Sequence, residues 1–314
     1  MTLPRAAALQ LCPLSPYLEA ALDARFEVIR WFRLNDAERS AWLNERAATV
    51  RAVVTGGHVG CSNALMMALP ALGVIAINGV GVDKVDLPLA RSRGVRVGTT
   101  PGALTDDVAD LAVGLIIALL RAIPAADAYV RQGEWVNGDR PLGRKVTARR
   151  FGVVGLGQIG TAVASRLAPF GPVAYTNPRP KDVSYTYHPD ALSLARHSEV
   201  LILTCPATPA TRHLANAAVI EALGPRGYLI NVARGSIVDE TALIAALCGG
   251  RLGGAALDVY EDEPNVPQAL RQCPQVVLTP HMASATLETR MRMADLVLMH
   301  LDACIRGDPE PLIP

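Results

Sequence analysis

An α/β protein built on a parallel sheet with helices on both faces is what this 314-residue sequence predicts. Three observations carry the prediction. Short runs of β-branched and other apolar residues, each ending in Gly, Asn, Pro or Asp, alternate with stretches rich in Ala and Leu at helical spacing. That rhythm belongs to successive βαβ units whose strands are covered on both sides. A glycine-rich turn, Gly155 to Gly160, stands between a strand-like run and a helix-like run. Half of the residues are hydrophobic and 19% are charged, so a chain of this length fills a large core and has room for two domains.

In chain order, the predicted strands cover residues 52–55, 74–78, 151–154, 173–176, 200–204, 227–232, 254–259 and 275–279. Between the second and third of these, residues 105–123 predict a long buried helix. Thr105 caps it, Asp106 and Asp107 complement its positive amino end, and Pro124 stops it. The helix is apolar nearly all round, so it needs cover on every side, for which a second subunit is one source. Residues 131–150, with Gly133, Gly138, Pro141 and Gly143, read as a loop or arm.

The strand over residues 151–154 runs into Gly155-Leu-Gly157-Gln-Ile-Gly160, and a helical pattern follows from Thr161 to Leu167. In that context the three glycines serve different ends. Gly155 permits the tight turn, Gly157 lets the backbone approach a pyrophosphate, and Gly160 brings the helix close to the strand. Free backbone N–H groups and the positive helix end then hold phosphates. A nucleotide unit that takes NAD ends its second strand on Asp or Glu about 20 residues later, for the ribose 2′-hydroxyl. Here the chain reads Ala174-Tyr-Thr-Asn-Pro-Arg-Pro-Lys181, which offers Asn177, Arg179 and Lys181 but no carboxylate. Arg179 suits a 2′-phosphate, so NADPH is expected over NADH.

In an open parallel sheet, ligands bind beyond the carboxyl ends of the strands. Arg234, Asp258, Glu263 and His281 all fall at or just after such ends. Arg234 sits in the turn Asn231-Val-Ala-Arg-Gly-Ser236, where its planar fork suits an anionic substrate. Residues 258–264 carry four carboxylates, and one of them in reach of His281 would fix the imidazole tautomer and favour its acid form. Taken alone, His281 in Thr279-Pro-His-Met-Ala-Ser284 reads more readily as a hydrogen-bonded histidine at a core rim. The shared edge favours a proton donor.

A formal charge of +1 offers no basic field to nucleic acid and no polybasic face to a membrane. The six cysteines are scattered, without metal-ligand spacing, as in a reduced compartment, and no metal is expected. The longest apolar run, Leu111 to Leu120, is half of the ~20 residues a spanning helix requires. The apolar piece from Ala6 to Leu11 is broken off by Pro13 and Pro16, so no secretory signal is expected and a cytoplasmic location is.

The stretches TPGALTDDVADLAVGLI from Thr100, GLGQIG, INVARGSIVDETALIAAL, GGAALDVYEDEP and TPHMAS, in this order and spacing, resemble the D-isomer-specific 2-hydroxyacid dehydrogenases. The likeness spans essentially the whole chain and is nearest to the glyoxylate/hydroxypyruvate reductase and hydroxyphenylpyruvate reductase branch. It implies two Rossmann-like doubly wound domains with the active site in the cleft between them. Residues 101–283 would form the dinucleotide-binding domain, inserted into a substrate-binding domain of residues 1–100 and 284–314. The likeness further implies that Arg234 orients the substrate, His281 donates the proton and Glu263 partners it. Cofactor contacts are implied for Gly155, Leu156, Gly157, Gln158, Ile159, Gly160, Asn177, Pro178, Arg179, Cys205, Pro206, Thr211, Val232, Ala233, Asp258 and Ala283. Substrate contacts are implied for the amides of Val80 and Gly81 and for Ser284, besides Arg234 and His281. A homodimer through the cofactor domain is implied too, in keeping with the apolar helix from Thr105 and an arm bearing Trp135.

The chain departs from the family at two places. Pro178 intervenes between Asn177 and Arg179, and the loop 54–60, expected to touch the substrate, matches no one relative in side-chain specificity. The function expected is NADPH-dependent reduction of a small 2-keto acid, glyoxylate, hydroxypyruvate or related, to the D-2-hydroxy acid. Two alternatives stay open: NAD-linked oxidation of a hydroxyacid such as phosphoglycerate, and a nucleotide-sensing, corepressor-like binding protein.

Overall fold

A computed structural model describes residues 6–307, and these divide into two compact units. The first holds the described residues up to Leu104 and those from Ala285 on, and the second holds Thr105–Ser284. Residues 308–314 of the expected substrate domain lie outside the described residues, as do residues 1–5.

The first unit begins with β1 (Ala7–Gln10), α1 (Pro16–Arg25), β2 (Glu27–Arg30), α2 (Asp36–Arg46), β3 (Val50–Gly56), α3 (Asn63–Ala68), β4 (Val74–Asn78), α4 (Leu87–Ser92) and β5 (Arg96–Gly98). Its strands form one parallel sheet in the order β2-β1-β3-β4-β5. Side-chain alternation assigns successive residues to opposite faces. Leu9, Val53, Ile75 and Ile77 enter a core with Met66 and Leu69, while Ala8, Val54 and Ala76 enter another with Leu18 and Leu22. Both faces are therefore buried, and the strands read as continuous apolar runs.

The second unit follows, with α5 (Thr105–Leu120), α6 (Ile123–Arg131), β6 (Phe151–Val154), α7 (Gln158–Leu167), β7 (Val173–Thr176), β8 (Thr186–His188), α8 (Ala191–His197) and β9 (Val200–Leu203). It continues with α9 (Ala217–Leu223), β10 (Tyr228–Asn231), α10 (Glu240–Cys248), β11 (Gly254–Leu257), α11 (Gln268–Gln272) and β12 (Val276–Leu278). These seven strands are parallel, in the order β12-β11-β10-β9-β6-β7-β8. Leu201, Leu203, Leu229 and Leu257 pack with Ile220 and Leu243 in its core. The chain then returns to the first unit as α12 (Leu287–Arg306), capped by Thr286, whose Val297 and Leu301 cover the second face of that sheet.

All eight predicted strands are present, within two residues of the expected ends. Four more, β1, β2, β5 and β8, had no sequence signal. Three of these, β2, β5 and β8, are edge strands, short and carrying Glu27, Arg30, Arg96 or Thr186, as exposed edges usually do. The fourth, β1, is internal, but its sequence Ala-Ala-Leu-Gln carries no β-branched residue.

The helix expected over residues 105–123 needs correction. It ends at Leu120, Ala122 takes a left-handed backbone (φ 51°), and Pro124 lies in the first turn of α6. Proline is favoured in a first helical turn because its missing N–H is no loss there, so here it opens a helix rather than closing one. Cover along α5 is also incomplete: Val108, Ala112, Leu115 and Ile116 are buried, but Leu111, Val113 and Ile117 are only partly so and Gly114 is exposed. Two ion pairs from Arg166 of α7, to Asp106 and Asp110, fasten the amino half of α5.

Candidate active site

Because the second sheet is parallel, the carboxyl ends of all its strands open onto one edge, where the site residues predicted within this unit lie. At the end of β6, Gly155 has φ +92°, and a Cβ there would stand 2.6 Å from Cys205 Cα. A Cβ on Gly160 would overlap Gly155 O and stand 2.8 Å from Thr204 Oγ1. Gly157 differs: its φ is ordinary, and a Cβ would meet nothing within 4 Å. Two glycines are thus required by the fold, whereas the third leaves open space in front of the turn. Gly157 is the N-cap of α7 and supplies no side-chain cap, so the first helical N–H groups point out of the turn. Open space and outward donors at a helix amino end fit a pyrophosphate.

Asn177 ends β7, and its Oδ1 accepts the Leu156 N–H at 2.9 Å, tying the second strand to the glycine turn. Pro178 and Arg179 follow, both exposed. The loop they occupy is pinned from below, since the Tyr175 hydroxyl accepts the Lys181 N–H at 2.8 Å and the Tyr187 hydroxyl donates to Asn177 O at 3.3 Å. Such anchoring holds the Arg179 backbone in place while leaving its guanidinium in solvent. Neither tyrosine stands out in the sequence, because both look like ordinary strand residues.

After β9, Thr204 donates to Gly155 O at 2.7 Å and so locks the turn. Burial pushes the Cys205 thiol up to about 11, so this strand end carries an uncharged sulfur. Thr211 folds the segment beyond it, with its hydroxyl donating to Pro206 O at 2.7 Å and accepting the Thr208 N–H at 2.8 Å.

Arg234 rides on a turn that its own neighbours close. Asn231, fully buried at the end of β10, accepts the Ala233 N–H at 3.0 Å and donates to Arg234 O at 2.9 Å. Val232 and Ala233 are buried, and Arg234 Nη1 donates to Ala233 O at 2.7 Å. A Cβ on the following Gly235 would overlap the Tyr260 carbonyl, so this turn touches the backbone of the acidic loop directly.

The four carboxylates of residues 258–264 separate by partner. Asp258 is fully buried, and its carboxylate accepts the Thr279 hydroxyl at 2.6 Å and the amides of Met282 at 2.9 Å and Ala283 at 3.0 Å. Its carbonyl accepts the His281 N–H at 2.8 Å. Every one of those bonds goes to the segment that carries His281, so Asp258 builds that turn. Glu261 pairs with Arg212 at 3.0 Å and His213 at 2.9 Å, while Asp262 accepts from Asn265. Glu263 alone of the four contacts the His281 ring, with Oε2 2.7 Å from Nδ1, and its Oε1 accepts the Tyr260 N–H at 3.0 Å.

His281 has φ +51°, a left-handed backbone that non-glycine residues seldom adopt. The bonds to Asp258 over-determine it. Tyr260, Pro264, Leu278 and Pro280 line an apolar pocket of about 320 Å³ beside the Glu263–His281 contact, which lowers the local dielectric there. The Tyr260 hydroxyl donates to Thr279 O at 2.9 Å, and burial raises it to about 12, so it remains a neutral donor. Behind the loop, Glu240 accepts the Glu261 N–H at 2.7 Å. Asn231, Glu240, Tyr260 and Thr279 are functional neighbours that sequence reasoning does not single out. Asn231, Glu240 and Tyr260 bond to backbone groups and Thr279 bonds to the Asp258 carboxylate, and only the position of Asn231, three residues before Arg234, offers a hint.

Ala283 is buried and Ser284 partly so, at the end of this second unit. Val80 and Gly81 belong to the first unit, in the turn after β4, where Val80 is exposed.

Known proteins resemble this chain over nearly its whole length. Residues 113–283 match the family model described as D-isomer specific 2-hydroxyacid dehydrogenase, NAD binding domain. The chain is 48% identical over 303 residues to a hydroxyphenylpyruvate reductase of Plectranthus scutellarioides, covering 96% of each. It is 46% identical over 301 residues to a glyoxylate/hydroxypyruvate reductase A of Arabidopsis thaliana, covering 95% of this chain and 96% of the relative. Among solved structures, an NADPH-dependent glyoxylate/hydroxypyruvate reductase from Sinorhizobium meliloti, in complex with NADP and malonate, superposes with a TM-score of 0.92. It shows 41% identity over 99% of this chain and 96% of that one.

Proposed function

The chain belongs to the D-isomer-specific 2-hydroxyacid dehydrogenases, NAD(P)-dependent oxidoreductases acting on the CH–OH and keto pair, and from that premise we propose that it reduces a small 2-keto acid with NADPH. Glyoxylate, hydroxypyruvate or a close relative is the substrate, and the D-2-hydroxy acid is the product. The relatives named for glyoxylate, hydroxypyruvate and hydroxyphenylpyruvate support the substrate class. The contact that carries the reading is Glu263 Oε2 to His281 Nδ1 at 2.7 Å, on the same strand-end edge as Arg234 and the glycine turn.

Gly155 to Gly160 and the amino end of α7 would hold the cofactor phosphates, and Cys205, Pro206, Val232, Ala233 and Ala283 would line its path along the edge. Bound there, the cofactor would be the source of the hydride for the keto carbon. Arg179 would take the 2′-phosphate in a charge-assisted bond, which supports NADPH over NADH. The Arg234 fork would orient the substrate carboxylate and keto oxygen, and the amides of Val80 and Gly81 would receive the carboxylate. With Nδ1 committed to Glu263, His281 would give its proton from Nε2 to the developing alkoxide. Glu263 orients the ring and offsets its positive charge, and the Tyr260 amide fixes Glu263 in turn.

The same reading makes residues 101–283 the cofactor domain and residues 1–100 with 284–314 the substrate domain. The part-exposed side of α5 and the exposed Trp135 support a homodimer through the cofactor domain, which sedimentation measures. A cytoplasmic location belongs to the proposal as well. The deciding experiment is a panel of 2-keto acids assayed with NADPH and with NADH. Steady NADPH consumption with glyoxylate or hydroxypyruvate is expected. If NADPH binds but no acid on the panel is turned over, a nucleotide-sensing role replaces this one.

A further inference from the structure

On the carboxyl edge of the first sheet, β3 and β4 are neighbours, and their following loops touch. A Cβ on Gly79 would stand 3.5 Å from Gly57 N and 3.9 Å from Gly57 Cα, so the two backbones are in van der Waals contact. Residue 58 is therefore one step from the turn whose Val80 and Gly81 amides are assigned to the substrate carboxylate.

The turn that carries His58 is closed from several directions. Gly56 O accepts the N–H groups of Val59 at 3.1 Å and Gly60 at 2.9 Å. The buried Thr55 hydroxyl donates to Gly60 O at 2.8 Å, and the Cys61 N–H reaches Lys84 O at 3.1 Å. Gly60 takes φ +66° with no room for a side chain against Lys84. At the tip, the His58 ring folds back over Gly56, where a Cβ would stand 2.8 Å from Cε1 and 2.9 Å from Nδ1. The ring thus fills the space that a side chain at 56 would need. Beneath the same point the Cys12 sulfur would be 3.4 Å away, and burial pushes that thiol up, so no thiolate charge competes with the imidazole. Val59, next in the chain, and Val80, in the neighbouring turn, are both exposed.

We propose that His58 is a specificity-determining residue, hydrogen-bonding a short hydroxylated substituent on C3 of the keto acid, so that hydroxypyruvate-like acids are favoured over aryl pyruvates. The inference rests on the reduction proposed above and names its substrate class. With the carboxylate carbon held at Val80 and Gly81, C3 would be only two bonds away, within the span of the loop that touches this turn. A preorganised polar group there rewards a hydroxyl and is left without that bond by an aromatic ring.

Glyoxylate has no C3 and supplies the control. In the full-length protein, His58→Leu is expected to lower kcat/KM for hydroxypyruvate by about tenfold or more, with glyoxylate changed by less than about twofold. His58→Asn, which keeps a hydrogen-bonding atom near the Nδ1 position, should recover part of that loss. Gly56→Ala should displace the ring and give a weaker split of the same sign. An equal change on both acids, or no change on either, overturns the role of His58 while leaving the reduction intact. A wild-type protein that binds NADPH and reduces neither acid overturns the reduction, and this inference with it.

Discussion

Glu263 holds His281 through Nδ1 at 2.7 Å while its other oxygen is held by the Tyr260 amide at 3.0 Å. The imidazole is therefore oriented by a carboxylate that is itself oriented. In the proposed reaction the other ring nitrogen, Nε2, would give the proton.

Removing that acid is expected to act on chemistry rather than on cofactor binding. His281→Ala should slow turnover by about 10²- to 10⁴-fold, with NADPH affinity, read by fluorescence titration, nearly unchanged. An equal loss in both would sink the assignment.

Asp258→Asn is expected to destabilise the fold as well as the activity. An amide puts an NH₂ where the carboxylate accepts from Thr279, Met282 and Ala283. At least one buried donor then loses its partner, at a cost of about 1–3 kcal/mol. Urea unfolding should show the loss, and a fully stable variant would refute the structural role given to Asp258.

The glycines of the cradle should separate under substitution. Gly160→Ala overlaps Gly155 O and should lower thermal stability, whereas Gly157→Ala meets no protein atom and should keep it. The second variant should instead bind NADPH about tenfold or more weakly, since the methyl stands where the phosphates approach. Normal NADPH binding by Gly157→Ala would remove the cradle from the cofactor site.

Arg179→Ala should cut the ratio of NADPH to NADH efficiency by about tenfold to a hundredfold, the worth of one charge-assisted bond. Comparable efficiency of the unaltered protein with both cofactors would overturn the role of Arg179.

Burial pushes the Glu240 carboxyl up, the Glu261 amide opposes this, and the charges of Glu261, Asp262 and Glu263 add to the rise. A carboxyl raised on folding binds its proton more tightly when folded. Its contribution is thus fullest below the unfolded value and is lost as pH rises through the folded one. Glu240→Gln keeps an acceptor for Glu261 and removes the charge, so its Tm should match or exceed wild type at about pH 8. That advantage should shrink toward about pH 4, and a lower Tm at the higher pH would contradict it.

Most of this fold is legible in the sequence because strands buried on both faces leave unbroken apolar runs, as at Val200–Leu203 and Tyr228–Asn231. Edge strands such as β5 and β8 bury less and leave no such trace. The break between α5 and α6 is hidden because Pro124 both follows one helix and opens another. At the candidate site, the strand ends and the family likeness single out His281, Arg234 and Glu263, and the folded chain brings Glu263 against the His281 ring. Four carboxylates in seven residues cannot be told apart by spacing alone. Their partners differ by burial and backbone contact, which only the folded loop defines.

The left-handed backbone at His281 sets two demands on one position. Glycine or asparagine would relax the main chain there by roughly 1 kcal/mol, yet neither can donate a proton as imidazole does. A laboratory selection for heat resistance alone would therefore drift toward glycine at 281 and discard the proposed proton donor. Survivors of such a selection would fold well and turn over little.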